Sequence, residues 1–237
     1  MRDVVKRYEA GGAEFCLEVP ELVIASGAKI AFIGESGSGK STLLELLAMI
    51  LRPDSSTRFT FRPRSQDDAS DVSAAWRTGD VDLLADLRSR HIGYVLQHGG
   101  LLPYLSVRDN INLPRRLVHG PVDDVAPHWA ARLRIEAQLE KRPAELSIGQ
   151  RQRVAIARAL AHDPTVLIAD EPTAAIDPVN AERIMELMVG LVDELGVTLV
   201  IASHAHDLMR NAGLRMIDLN IETSDRNTMH ATVSHAP

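Results

Sequence analysis

The chain has 237 residues, of which 45% are hydrophobic, 24% charged and only 4% aromatic. This composition is ordinary for a globular protein with a mostly aliphatic core, and it excludes a disordered, collagen-like or disulfide-stapled chain. The net charge of −6 argues against an extended nucleic-acid-binding face, which would be basic. We therefore expect no nucleic-acid partner. The length allows either one large domain or a core with a subdomain.

The compartment can be predicted from what the sequence lacks. Cys16 is the single cysteine, so no intramolecular disulfide can form, which is consistent with a reducing compartment. Residues 1–10 are charged and contain no apolar segment of the kind found in signal peptides. No apolar run approaches the roughly 20 residues that a membrane helix needs. We expect a cytoplasmic protein.

Short apolar runs alternate with helical patterns along the chain. In chain order, the sequence predicts a strand over 29–34, a helix over 40–51, strands over 92–96 and 166–170, a helix over 178–195 and a strand over 197–202. Asp177 precedes Pro178 at the start of the second helix, a pairing typical of helix N-termini. Nearly continuous apolar strands suit a parallel sheet that is covered on both faces. The alternation therefore predicts an α/β fold.

Three stretches interrupt this alternation. Residues 52–79 are polar and predict a loop with one short strand over 58–61. Residues 104–145 carry helical patterns without a strand, which indicates a helical insertion in the α/β core. From Glu222 onward the sequence is polar and aperiodic, so we expect 222–237 to form a polar tail.

A phosphate-binding loop is the strongest local signal. Residues 34–41 read G-x-x-x-x-G-K-S directly after one predicted strand and at the start of a predicted helix. Backbone amides of such a loop and the helix N-terminus surround phosphate oxygens, Lys40 reaches the β- and γ-phosphates, and the Ser41 hydroxyl binds Mg²⁺. The alternative is a plain Gly/Ser turn before a helix. The predicted phosphate-binding residues are Gly34, Glu35, Ser36, Gly37, Ser38, Gly39, Lys40, Ser41 and Thr42.

Two acids close the predicted strand 166–170. Asp170 would lie at the carboxyl end of the sheet, where it can hold Mg²⁺, and Glu171 beside it can orient or deprotonate a water molecule. Taken alone, such a pair is more often a solvated turn or a helix cap. Together with the phosphate loop it predicts a nucleoside triphosphatase, with kinases, GTPases and ATPases still open.

Residues 146–150 (Leu-Ser-Ile-Gly-Gln), followed by 151–160 (RQRVAIARAL), closely resemble the signature of the ABC ATPases. Further elements resemble that family in the same order: Tyr8 as the adenine-stacking aromatic, Gln97 as the Q-loop glutamine, 175–177 as the D-loop and His204 as the switch histidine. The resemblance implies a P-loop NTPase core with a mostly parallel sheet, an N-terminal antiparallel β subdomain and an inserted α-helical subdomain. It implies one domain over 1–221, with the helical subdomain at about 104–160.

The resemblance also implies ATP and Mg²⁺ as cofactors and a homodimer that sandwiches the nucleotides. Each ATP would lie between the phosphate loop of one subunit and the signature and D-loop of the other. Glu171 would be the general base, His204 would contact the γ-phosphate, and Gln97 would bind Mg²⁺. The residues implied to complete the nucleotide and metal sites are Tyr8, Ser147, Gly149, Gln150 and Asp177 for ATP, and Ser41, Gln97 and Asp170 for Mg²⁺.

Each of these roles has an ordinary alternative, and the sequence departs from the family in places. Tyr8 could be a strand aromatic, and Gln97 a solvated glutamine at the end of a strand. His204 and His206 form an H-x-H pair, but no cysteine or carboxylate cluster in the sequence supports a metal site there. Ile148 replaces the glycine usual in the signature, which brings the turnover rate into question more than ATP binding.

A separate membrane protein is the partner that the resemblance implies. Leu101, Leu102 and Tyr104 follow Gln97 where the family receives a permease helix, so we expect them to form an exposed docking cluster on a subunit peripheral to the inner membrane face. The alternative is that they simply pack onto the helical insertion. The Leu-Leu-Pro-x-Leu string looks like the lipoprotein-releasing, macrolide-exporter and glycolipid-exporter branch. Three alternatives stay open: an importer subunit, a weakly hydrolysing regulatory scaffold, and an ABC-type ATPase acting on nucleic acid, whose coiled coil or basic arm the sequence lacks.

Overall fold

A computed structural model of the chain describes residues 1–10, 13–64, 66–97, 99–120, 123–225 and 228–233. Eight strands form one mixed sheet in the order β1-β2-β10-β9-β3-β8-β7-β6. Their bounds are β1 Arg2–Ala10, β2 Ala13–Glu21, β3 Lys29–Ile33, β6 Ile92–Val95, β7 Val166–Asp170, β8 Thr198–Ser203, β9 Arg215–Asp225 and β10 Thr228–Val233. A separate two-stranded sheet contains β4 Thr60–Phe61 and β5 Ser70–Asp71.

Helices cover the sheet and form a group at one end of it. The α-helices are α1 Lys40–Leu47, α2 Val72–Thr78, α3 Val81–His91, α4 Val107–His119, α5 Ala126–Leu133, α6 Ile148–Leu160, α7 Pro178–Leu195 and α8 His206–Asn211. Helices α4, α5 and α6 pack against one another, as the predicted helical insertion requires. Across the described ranges, every helix falls short of the length and apolar character needed to cross a membrane.

The core of the fold is the parallel run β9-β3-β8-β7-β6. Alternate residues of each strand are buried on opposite faces of the sheet. On β3, Ile30 and Phe32 pack with α1, whereas Ala31 and Ile33 pack on the side of α6 and α7. Burial on both faces explains why these strands read as continuous apolar runs, and it confirms the predicted mostly parallel α/β sheet.

The end of the chain differs from the sequence-based expectation. We expected an aperiodic tail over 222–237, but Thr228–Val233 forms β10, which pairs in parallel with β2 and antiparallel with β9. The tail prediction is wrong for this segment. Its inward positions, Ala231 and Val233, are buried in the core. Two small apolar residues were too weak a pattern to reveal a strand whose ladder depends on two distant partners.

Residues 52–79 also contain more structure than predicted. The expected strand over 58–61 is present only as Thr60–Phe61, and α2 begins at Val72, where Asp71 caps it by accepting from the Ala74 amide at 2.9 Å. The loop prediction is therefore wrong for α2. A small third core buries the few apolar side chains of this region: Met49, Phe59, Val72, Ala75, Leu84 and Leu87. Sparse apolar anchors suffice here because α2 and α3 bury them against each other and against the end of α1.

Candidate functional site

The phosphate loop lies between the carboxyl end of β3 and the first residue of α1, Lys40. Gly39 is the residue before that helix and has φ +89°, a left-handed conformation that glycine adopts without strain. A Cβ atom at Gly39 would lie 2.7 Å from Cζ of Phe15 on β2. The loop is therefore held closely against the β1-β2 hairpin.

Lys40 directs its ammonium group back over this loop. The side chain is buried, and Nζ donates hydrogen bonds to the Gly34 and Glu35 carbonyls, both at 2.7 Å. Nζ also lies 3.9 Å from Oε1 of Glu171. The cation is thus fixed between the loop and an acid at the end of the neighbouring strand, in a position to meet an anion entering from solvent.

Asp170 and Glu171 follow one another at the carboxyl end of β7. Glu171 has φ +45°, which is strained for a residue with a side chain, and its amide donates to the Ala202 carbonyl of β8 at 2.9 Å. This backbone strain turns the Glu171 side chain toward the loop instead of continuing the strand. Strained backbone of this kind is concentrated at functional sites.

The Asp170 carboxyl group is buried and only partly satisfied. Oδ1 has no hydrogen-bond partner among the described residues. Burial, with the neighbouring Glu171 carboxylate, raises the pKa of Asp170, whereas a hydrogen bond with Ser41 and the charge of Lys40 oppose that rise. A buried carboxylate oxygen without a hydrogen-bond partner is costly, and it is well suited to a hard cation that prefers oxygen ligands.

His204 follows β8 and completes the group. Its Nδ1 lies 3.0 Å from both carboxylate oxygens of Glu171. Because a carboxylate only accepts hydrogen bonds, Nδ1 is the donor, and Nε2 is left free on a largely exposed ring. Glu171 is thereby oriented from two sides, by His204 and by Lys40.

These groups surround one open cleft of about 610 Å³. Its described lining is Phe15, Glu35, Ser36, Gly37, Gly39, Lys40, Ser41, Thr42, Gln97, Glu171 and His204. Apart from Phe15, all of these were predicted site residues. The fold therefore brings together the phosphate loop, Gln97, the acid after β7 and the histidine after β8, which are separated by up to 169 residues along the chain.

Phe15 is the site residue that the sequence reasoning missed. It pairs across the hairpin with Tyr8, so that both rings lie on the same face of the sheet. Tyr8 is one strand farther from the phosphate loop and is not among the cleft's described lining residues; Lys6 Nζ lies 5.4 Å from its ring centroid. Phe15, Leu17 and Val19 stand at every second position, which indicates one face of a strand. Placing Phe15 at the site from this pattern also required knowing how β1 and β2 are paired.

The signature residues lie away from this cleft. Ser147 caps α6: its Oγ accepts from the Gln150 amide at 3.2 Å, and Oε1 of Gln150 accepts from the Ser147 amide at 3.0 Å. Ile148 between them is half-exposed and points outward. Asp177 caps α7 by accepting hydrogen bonds from the Asn180 backbone amide and side chain, at 3.1 and 2.8 Å, and these bonds lower the pKa of its carboxyl. Within a single described subunit these residues, with Gly149, stand apart from the phosphate loop.

The expected exposed cluster after Gln97 is only partly present. Leu101 packs against the apolar core of the helical region, so its predicted exposure is wrong. Leu102 is half-buried, and its backbone amide and carbonyl bond the buried Asn110 side chain at 2.8 and 3.1 Å. Tyr104 is exposed, with 68% of its surface accessible. Asn110 also donates to the Leu105 and Ser106 carbonyls, so this loop is anchored to α4 through its backbone.

Comparison with known proteins agrees with this geometry. The family described as "ABC transporter" matches residues 17–174. The methionine import ATP-binding protein MetN of Caulobacter vibrioides is 38% identical over 88% of this chain and 60% of its own length. The macrolide export protein MacB of Shigella flexneri is 37% identical over 86% of this chain but 30% of its own length. The lipoprotein-releasing ATP-binding protein LolD of Idiomarina loihiensis is 36% identical over 86% of both.

A solved structure shows the same fold. The dimeric ATP-binding cassette MJ0796, bound to ADP and phosphate in a post-hydrolysis state, aligns with a TM-score of 0.75 and 30% identity over 92% of this chain and 93% of its own. The chain thus spans less than two thirds of the MetN and MacB relatives and nearly all of this cassette. The chain belongs to the ABC transporter family, as one of its ATP-binding cassettes.

Proposed function

We propose that the chain is the Mg²⁺-dependent ATPase subunit of an ABC transporter complex, acting at the cytoplasmic face of a membrane on a separate permease. The observation that carries this proposal is the convergence of Lys40, Glu171 and His204 on the phosphate loop, beside a buried, unpartnered oxygen of Asp170. A phosphate-binding cation, an oriented carboxylate and a metal-binding acid are the parts that phosphoryl transfer to water requires.

Phosphate binding rests on the loop and on Lys40. The loop amides and the N-terminus of α1 offer donors and positive potential to anionic oxygens. The Lys40 ammonium now satisfies two loop carbonyls, and it would exchange them for the β- and γ-phosphate oxygens when ATP binds. Because Lys40 is buried and already held in place, little side-chain entropy remains to be lost.

The Mg²⁺ ion would be held by Ser41, Asp170 and Gln97. The unpartnered Oδ1 of Asp170 fits this use, since a divalent cation would supply the charge that the buried oxygen lacks. Ser41 follows Lys40 at the start of α1, and Gln97 lines the same cleft. Held by these residues, the cation would supply positive charge that offsets the negative charge of the phosphate oxygens.

Glu171 would receive the proton of the attacking water. Its strained backbone points the carboxylate into the cleft, and His204 Nδ1–H holds both oxygens at 3.0 Å. With Nδ1 occupied, the free Nε2 of His204 is the nitrogen available to meet the γ-phosphate. This division of roles matches a general base oriented by a third group.

A second subunit would complete the site. Ser147 is exposed, Gly149 and Gln150 are half-buried, and all three lie outside the cleft of their own subunit, so their phosphate-binding role requires another copy of the chain. The Asp177 turn is exposed in the same way. The dimeric form of the MJ0796 cassette supports such an arrangement. We further propose that Tyr8 stacks on adenine beside Phe15, and that the permease contacts the surface around Leu102 and Tyr104.

For the transporter branch we propose the export, lipoprotein-releasing or force-transmitting type. Of the three relatives described above, LolD is matched over the largest share of its own length, 86% against 60% for MetN and 30% for MacB. An importer subunit is the second candidate, favoured by the 38% identity to MetN. A weakly hydrolysing scaffold is the third, because the exposed Ile148 occupies the first position of α6, where the signature would face a second nucleotide.

Glu171→Gln tests the ATPase proposal, with phosphate release measured in the presence of Mg²⁺. The amide keeps the shape of the side chain and cannot accept the proton, so the rate should fall by about 10² to 10⁴. ATP affinity should stay within about threefold, and an ATP-dependent dimer should become visible by gel filtration. Glu182→Gln, the same change on the exposed face of α7, is the matched control. Hydrolysis at the wild-type rate by Glu171→Gln would show that this residue is not the base.

A further inference from the structure

The outer face of the N-terminal β subdomain carries a group of polar side chains that the nucleotide site does not use. On β2, Leu17 and Val19 are buried in the core, and Phe15 packs against it. Because side chains alternate along a strand, Cys16 and Glu18 lie on the opposite face of the sheet. The face of β2 that carries Cys16 and Glu18 therefore points away from the core and away from the phosphate loop.

Strand β10 brings a histidine beside these two residues. His230 pairs directly with Cys16 in the parallel β10-β2 register, so their side chains share this outer face. The Cys16 sulfur, a Glu18 carboxylate oxygen and a His230 ring nitrogen all lie within 4.8 Å of one another. The distance between Cys16 Sγ and Glu18 Oε1 is 3.8 Å. Among the described residues, this is the one such group of three metal-binding side chains.

The donor set has the chemistry of a zinc site. Thiolate, imidazole and carboxylate are the three ligand types that Zn²⁺ binds in proteins, with bonds of about 2.0 to 2.3 Å. Tetrahedral ligands at such distances are separated by about 3.3 to 3.8 Å, so the observed spacing needs only small side-chain rotations. Hard cations such as Mg²⁺ prefer oxygen ligands and are disfavoured by the thiolate.

Burial makes the group more than a chance surface cluster. Cys16 is 1% exposed, whereas Glu18 and His230 are half-buried, so the sulfur lies beneath its two neighbours and the entry path is between them. Arg7 pairs with Cys16 from β1, and its side chain hydrogen-bonds the sulfur. Bound zinc with one thiolate and one carboxylate is formally neutral, so Arg7 can remain as a donor to the sulfur.

We propose that Cys16, Glu18 and His230 form a binding site for zinc or a similar transition metal, with a water molecule as the fourth ligand. The metal would join β10 to β2 through side chains and so hold the last described strand of the chain in the sheet. Burial and the Glu18 charge raise the pKa of the Cys16 thiol, so binding releases a proton from it. The site is independent of ATP.

Alkylation of the purified full-length chain tests this proposal, because Cys16 is the only cysteine and every modified thiol reports on it. The probe is Zn²⁺ added without nucleotide, with Mg²⁺ in a parallel sample. Zinc should slow the thiol reaction by about tenfold or more by occupying the thiolate, and Mg²⁺ should leave the rate unchanged. Co²⁺ should produce a sulfur-to-metal charge-transfer band in the near ultraviolet, which a site without the cysteine cannot give.

Two histidine variants distinguish this site from other zinc binding. His230→Ala should abolish the zinc protection and the cobalt band, whereas His206→Ala, which removes one member of the H-x-H pair, should leave both intact. Glu18→Gln, which keeps the side-chain size, should weaken the protection about tenfold or more and serves if His230→Ala does not fold. The proposal would be overturned if zinc protected the Cys16 thiol of His230→Ala and Glu18→Gln as well as that of the wild type. It would also be overturned if zinc had no effect on the wild-type thiol.

Discussion

Replacing Gly39 with alanine separates two ways in which the phosphate loop is constrained. The alanine backbone must adopt φ +89°, and its Cβ must fit a space where Phe15 Cζ lies 2.7 Å away. Gly37 provides a matched control in the same loop. Its φ is +82°, but an added Cβ would meet nothing within 4 Å. The two substitutions therefore share the backbone cost and differ in the contact with Phe15.

The magnitudes follow from these two terms. A left-handed conformation costs an alanine about 1 to 2 kcal/mol, which is the expected loss of unfolding free energy for Gly37→Ala. Forcing an extra carbon against a packed ring adds about 1 to 3 kcal/mol, so Gly39→Ala should lose about 2 to 5 kcal/mol in all. In a Phe15→Ala background the ring is absent, and the cost of Gly39→Ala should fall to that of Gly37→Ala.

These costs are measured by urea unfolding. The proteins compared are the wild type, the single variants Gly37→Ala, Gly39→Ala and Phe15→Ala, and the two double variants that combine Phe15→Ala with either glycine change. The coupling free energy between positions 15 and 39 should be about 1 to 3 kcal/mol, and that between positions 15 and 37 should be near zero. ATP affinity, measured by titration, should fall in Gly39→Ala more than in Gly37→Ala, because displacement of the ring moves the loop. Equal costs of Gly39→Ala with and without Phe15 would refute the reasoning.

Three further predictions concern the strand, the core and the surface. Gly93→Ala would drive a Cβ into the backbone carbonyl oxygen of Ala159, so it should cost about 3 kcal/mol or more and lower the thermal midpoint measured by circular dichroism. Burial lowers the pKa of His162, so the unfolded chain takes up its proton first; the free energy of unfolding should fall as the pH drops below the ordinary value of 6.5, and urea titrations of His162→Leu should show a smaller fall. Tyr104→Ser should reduce recovery with the membrane fraction while leaving the urea midpoint unchanged, whereas Leu117→Ser, on another exposed apolar residue, should leave recovery unaltered.

Much of the fold could be predicted because its signals are local. The strand at 166–170 and the helix at 178–195 have the predicted bounds, since burial on both faces and a complete cap at Asp177 leave clear patterns. Helix α2 and strand β10 left no comparable pattern. Strand β10 is stabilised by pairing with β2, far away in the sequence, and α2 has few apolar residues of its own, so neither produces a clear period in the sequence.

The same distinction applies to the site. The phosphate loop is a contiguous string, and Lys40 could be assigned from it without knowledge of the fold. The contact between Glu171 and His204 joins residues 33 positions apart through two neighbouring strands; family resemblance implied that both act at one site, but the contact itself was not predicted. The position of Phe15 depended on the hairpin register, and that of Leu101 on packing against a core built from distant segments, so local sequence reasoning missed the first and misjudged the second.

Arg158 shows how the two halves of the cassette are connected within one subunit. It lies on α6, the helix that begins at the signature, and its guanidinium donates to the Gly100 and Gly99 carbonyls at 2.7 and 2.9 Å, in the loop after Gln97. Burial lowers the pKa of Arg158, and no carboxylate contributes to that shift. Arg158 is half-buried, and among the described residues its guanidinium hydrogen bonds go to carbonyl groups, so breaking either bond is costly and joint movement of the loop and the helix is favoured. If bound nucleotide displaces Gln97, we expect the movement to reach α6, and through it the surface that a second subunit would meet.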